Sequence, residues 1–125
     1  MHFTFENSPE YLRATLYGRQ TVEETVRFIE ALAAEARKHA ATRILICVRS
    51  SRPIFKVEQY KISEFFQQIA GNNLRVALVA DSDEVRAAHQ YIEVLAAQQG
   101  AQVRAFRDEA RALNWLCAAP GGAPR

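Results

Sequence analysis

Two apolar runs, ILICV at 44–48 and the nearly unbroken LRVALVA at 74–80, constrain the fold of this chain more than any other feature. Short continuous runs rich in β-branched side chains mark strands buried on both faces, the usual state of strands in a parallel sheet. Between them, residues 57–70 carry Ile62, Phe65, Phe66 and Ile69 at helical spacing, and Gly71-Asn72-Asn73 offers the left-handed backbone that ends a helix. Strand, helix and strand in that order require a parallel, right-handed crossover.

The flanking segments extend this unit in both directions. Phe3 and Phe5 alternate with His2, Thr4 and Glu6, and Asn7-Ser8-Pro9 brings turn chemistry, so a hairpin is expected. In its second strand Leu12, Ala14 and Leu16 share one face, while Tyr11, Arg13, Thr15 and Tyr17 share the other. Thr21 and Glu24 have capping-box spacing and open a helix with the apolar stripe Val22, Val26, Ile29, Leu32, Ala33 and Ala36, which runs out near His39 or Ala40. Asp81 and Glu84 repeat that spacing before a helix starting at about Ser82, whose inner face is Val85, Ala88, Ile92, Leu95 and Ala96, with Gly100 at its C-terminal cap. Val103 and Ala105 alternate with Gln102 and Arg104 in a last strand, Asp108 caps a last helix, and Leu113, Trp115 and Leu116 dock it. The resulting reading is one α/β domain over 1–118. It has a mainly parallel five-stranded sheet in sequential order, an N-terminal antiparallel hairpin strand, and four helices mostly on one face. Residues 119–125, rich in Pro and Gly, read as a flexible tail.

A chain of 125 residues buries about two-thirds of its unfolded surface, so its core needs no metal or disulfide. Sixteen basic and 14 acidic side chains give a net charge of +2 with the signs interspersed, which speaks against a nucleic-acid binder. Cys47 and Cys117 form neither metal spacing nor a disulfide framework, which points to a reducing cytoplasm. No apolar segment approaches the roughly 20 residues of a membrane span, and the start MHFTFENSPE lacks the profile of a signal peptide. The expectation is a cytoplasmic protein with no membrane span, no metal and no cofactor.

Three pieces carry a family likeness: ILICV leading into a Ser-containing loop and helix, RVALVADSDE, and the ending GAQVRAFRDEARALNWL. With the N-terminal hairpin and four strand-helix turns, they resemble the STAS-like superfamily, in particular the SpoIIAA-like proteins related to CRAL-TRIO lipid-binding domains. The resemblance covers nearly the whole chain and implies a non-enzymatic regulatory or binding module. In the superfamily's anti-sigma-factor antagonists a serine after the central strand is phosphorylated by a partner kinase, which makes Ser51, beside Ser50, the candidate phosphoacceptor here. The family's Asp-Ser-Ser or Asp-Ser-Thr followed by Gly is absent, with Arg49 before the serines and Arg52-Pro53 after them.

The loop after the first apolar run is the expected working surface. Arg49, Ser50, Ser51, Arg52 and Lys56, joined by Arg19, would sit at the carboxyl edge of parallel strands. Helix N-termini there favour anions, so the partner would be another protein, an anionic small molecule or a lipid. The competing reading is a solvated loop whose arginines pair with Asp81, Asp83 or Glu58. The runner-up function is a carrier of a small lipid or apolar metabolite, with Phe55, Tyr60, Phe65 and Phe66 lining a pocket under the second helix; the same aromatics also suit a plain core. A third is an enzyme built on Cys47, because a strand-end cysteine followed by a short loop and an arginine begins rhodanese and tyrosine-phosphatase sites. Here Arg52 is one residue too close and no glycine lets the loop curl. His89, on the flank of its helix's stripe, reads as a boundary core histidine, and Asp81, Ser82 and Asp83 read as caps before cation ligands. Tyr11, Arg13, Thr15 and Tyr17 lie on the less covered face of the sheet, so a homodimer is expected.

Overall fold

A computed structural model describes residues 1–53, 65, 67 and 73–118. Five strands, β1 (His2–Asn7), β2 (Leu12–Tyr17), β3 (Arg43–Arg49), β4 (Arg75–Ala80) and β5 (Gln102–Phe106), form one mixed sheet in the order β1-β2-β3-β4-β5. β1 runs antiparallel to β2 and every other neighbouring pair is parallel. Three helices are described: α1 (Val22–Lys38), α2 (Asp83–Gln98) and α3 (Glu109–Leu116). The helix expected over 57–70 lies outside the described residues apart from Phe65, which is helical and buried, and Gln67, which is helical and exposed. Phe55, Lys56, Glu58, Tyr60, Phe66 and the expected tail 119–125 also lie outside them.

Ser8 closes the hairpin. Its backbone N–H and its hydroxyl both donate to the Tyr11 carbonyl, at 3.0 and 2.9 Å, and the Tyr11 N–H donates back to Ser8 Oγ at 3.3 Å. The first helix starts where the sequence indicates. Thr21 Oγ1 accepts from the Glu24 N–H at 3.2 Å while the Glu24 carboxylate accepts from the Thr21 N–H at 3.2 Å, a complete capping box.

The inward face of α1 is rotated from the expected stripe. Thr25, Phe28, Leu32 and Ala36 are the buried positions, and Val22 is exposed. The reason lies in β1, whose Phe3 and Phe5 need cover. Phe28 meets both, edge-on to Phe3 at a centroid distance of 5.5 Å and stacked on Phe5 at 6.2 Å. A large ring filling that corner outweighs the smaller gain from burying Val22.

Of the three described helices, two cover one face of the sheet and one covers the other. Leu12, Leu16, Ile44, Ile46, Val76, Leu78 and Val103 face α1 and α2, whereas Leu45, Cys47, Ala77 and Val79 face α3 through Ala112 and Leu116. The unbroken apolar runs of β3 and β4 already demand this, because a strand apolar on both faces is stable only when both are covered. The cap of α2 also differs. Ser82, not Asp81, is the N-cap, its Oγ accepting from the Val85 N–H at 3.2 Å, which leaves the Asp81 carboxylate for another partner. Among the described residues no helix is long and apolar enough to cross a membrane.

Candidate functional site

The loop after β3 is held by its own polar groups. Gly18, with φ +66, turns the chain at the end of β2 and donates its N–H to the Arg49 carbonyl at 3.1 Å. Ser51 Oγ accepts from the Arg19 N–H at 3.1 Å and donates to the Arg49 carbonyl at 2.9 Å. The Arg52 N–H donates to the Arg19 carbonyl at 2.9 Å, and the Arg19 guanidinium donates to the Arg52 carbonyl. Ser50 adopts φ 48, a left-handed conformation that costs a non-glycine residue about 1 kcal/mol, and its N–H donates to the Asp81 carboxylate at 3.0 Å.

The cationic cluster read from the sequence is therefore divided. Arg49 turns to the α3 face and meets Glu109 at 3.3 Å. Arg19, only 7% exposed, turns the other way, beneath α1. Arg52 is exposed, and Lys56 lies outside the described residues. The arginine–acid pairing of the competing reading is realised through an acid it did not include. Glu109 stands at the start of α3 and is contacted by both Arg13 and Arg49. Hydrogen bonding to Arg13 holds its carboxyl below the usual range and outweighs the opposing effect of partial burial.

Cys47 is 1% exposed beneath this cluster, and burial, followed by the nearby Glu109 charge, pushes its thiol pKa up. That is the opposite of what thiolate nucleophiles require. The expected association face is also divided. Tyr11 packs against the α3 cluster, Arg13 is committed to Glu109 and Thr15 is buried, while Tyr17, 40% exposed, remains at the surface. Arg13, Thr15 and Tyr17, with Thr4, Glu6 and Arg49, line a shallow, open groove.

A different feature lies on the opposite face. Between α1, α2 and the sheet is a cavity of about 70 Å³. Phe28, Ile46, Leu78 and Phe65 are part of its apolar wall, and Arg19, Thr25 and His89 supply its polar lining. His89 is 3% exposed, and its Nδ1 finds no hydrogen-bond partner among the described residues. Burial, reinforced by the charges of Arg19 and Arg86, depresses its pKa to about 3, so the ring is neutral at physiological pH. Sequence periodicity placed His89 on the flank of the stripe. It is core because the buried face of α2 includes it beside Val85, Ala88 and Ala96. Thr25 was missed for the same reason as Phe28: the stripe that looked most apolar was not the one facing inward.

Among the described residues no group of three or more His, Cys, Asp or Glu side chains could hold a metal ion. Comparison of the chain with protein-family models, with curated proteins and with solved structures gives no match in any of the three.

Proposed function

We propose that this protein is a non-enzymatic binding module of the STAS-like kind, and that its ligand occupies the cavity between α1, α2 and the sheet. The single observation that carries the reading is a mostly apolar cavity of about 70 Å³ into whose wall a buried histidine brings a nitrogen with no described hydrogen-bond partner. Apolar enclosure with a few convergent polar groups is the usual build of a small-molecule site. The sequence likeness to SpoIIAA-like proteins supports the same reading, and two free thiols, Cys47 and Cys117, suit a reducing cytoplasm.

Native mass spectrometry of the freshly purified protein is the direct test. A retained small molecule that leaves on denaturation supports the carrier reading and gives the mass of its cargo, while methyl resonances of Ile46 and Leu78 that stay unmoved under xenon pressure would sink it. The same spectrum reports subunit number, and hence whether the half-covered face around Tyr17 joins two copies.

The loop supports a second reading, a partner-docking surface. Arg52 is exposed on a backbone pinned at both its N–H and its carbonyl, so its side chain leaves the surface from a fixed point. Pull-down with the native chain and with Arg52→Ala distinguishes the two. Loss of a captured partner at unchanged melting temperature supports docking, whereas a large loss of stability shows the arginine to be structural.

A further inference from the structure

Resting on the cavity reading above, we infer that His89 is the polar anchor of the site and that the ligand is a small neutral molecule, apolar over most of its surface, carrying a hydroxyl group. Three observations converge on that chemistry. The wall of the cavity is dominated by aliphatic and aromatic carbon, so most of the occupant's surface must be apolar. The charged groups nearest the histidine already have partners, Arg19 on the Arg52 carbonyl and Arg86 on Asp83 at 2.5 Å. The two guanidinium groups beside the ring repel a cationic ligand, and the mainly apolar wall makes a full negative charge costly to enclose. His89 Nδ1, buried and without a described partner, calls for one hydrogen bond.

A neutral imidazole nitrogen donates in one tautomer and accepts in the other, and a hydroxyl group serves both. Thr25 adds a second polar contact. Its Oγ1–H donates to the Thr21 carbonyl at 3.3 Å, so that oxygen joins the cavity lining as an acceptor. The volume sets the size. At about 70 Å³ the cavity is roughly half of the ~150 Å³ that admits benzene, so it takes a short alcohol or the hydroxyl end of a longer molecule.

The test uses xenon, 1-propanol and propionate as probes, read by methyl NMR at Ile46, Leu78 and Ile92 in the wild type, His89→Leu and His89→Gln, with thermal melts to show that each variant folds. The inference expects xenon to move these methyls in all three proteins. It expects 1-propanol to bind about tenfold more weakly to His89→Leu, as for loss of one hydrogen bond, with most of that loss restored by His89→Gln. Equal binding of 1-propanol to wild type and His89→Leu, with xenon still entering, overturns the anchor and leaves the cavity reading standing. Xenon entering without any 1-propanol binding assigns His89 to a trapped water and also overturns it. Propionate binding more tightly than 1-propanol overturns the neutral class of ligand. If no probe moves the methyls, the cavity reading and this inference fall together.

Discussion

Arg13 and Glu109 stand 96 positions apart in sequence and meet through two contacts, Nη1 to Oε1 at 2.7 Å and Nη2 to Oε2 at 2.8 Å. This fork-to-fork pair ties β2 to the first turn of α3 and spans β3, which lies between β2 and β4 in the sheet. Arg49 adds a third contact to the same carboxylate, so the group that orients α3 on the sheet is one acid shared by two arginines. Bidentate geometry of this kind is worth more than an ordinary surface ion pair.

Glu109→Gln should therefore lower stability by about 1 to 2 kcal/mol at neutral pH, read as a drop of several degrees in Tm. The folded-state pKa of Glu109 is depressed below 4.5, so its contribution is fully present above that value and is lost as pH falls through the lower, folded-state one. The gap between wild type and variant should close on acidification. A gap that persists in acid would show that Glu109 acts through packing and not through its charge.

His89 gives the chain a second, separate acid sensitivity. Its folded-state pKa of about 3 lies below the ordinary 6.5, so the unfolded chain takes up a proton that the folded chain refuses over that interval. Stability should be independent of this group above pH 6.5 and fall between 6.5 and about 3, by up to about 1.4 kcal/mol per pH unit. Urea titrations of wild type and His89→Leu from neutral to mildly acidic pH check this. Parallel curves for the two proteins would count against a buried neutral ring.

Ser51 is a structural clip between the ends of β2 and β3. Ser51→Ala removes both hydrogen bonds of its hydroxyl and should cost about 1 to 2 kcal/mol. Ser51→Asp should be at least as destabilising, because the added carboxylate cannot make the donor contact to the Arg49 carbonyl. Chemical denaturation reads both variants, and a Ser51→Asp protein as stable as wild type would revive phosphorylation at this position as a tolerated switch.

The two cysteines should differ in reactivity. Cys47 is 1% exposed with a raised pKa, whereas Cys117 is partly exposed at the end of α3. A thiol reagent at neutral pH should modify one cysteine quickly in the native protein and the second only on unfolding. Fast labelling of Cys47 in the native state would restore the nucleophile reading.

Much of the frame can be read directly from local sequence. The runs 44–48 and 76–80 are strands because nothing in them is polar enough to face water, and Thr21, Ser82 and Asp108 start helices because their side-chain oxygens reach the backbone amides three positions on. These are effects within a few residues of chain, so sequence alone contains them. Even so, Ser82 displaced Asp81 as the cap of α2, since both are good caps and only the fold gives Asp81 the Ser50 N–H as a competing partner.

The contents of the site needed three dimensions. Loop composition grouped Arg19, Arg49 and Arg52 as one basic cluster, but strand alternation and the opposite cover of the two sheet faces send Arg49 to Glu109 and Arg19 beneath α1. Phe28 and Thr25 became core through the demand of Phe3 and Phe5 for cover, a requirement imposed by a segment some twenty residues away. His89 became a buried polar group because the face of α2 that turns inward carries it beside Val85, Ala88 and Ala96. Sequence by itself determined where strands and helices begin and which strands need two covered faces, because those follow from local hydrogen bonding and hydrophobic pattern. Tertiary structure alone decided which charges pair, which helix face turns inward and where a cavity remains, because each depends on distances between segments that local propensity does not encode.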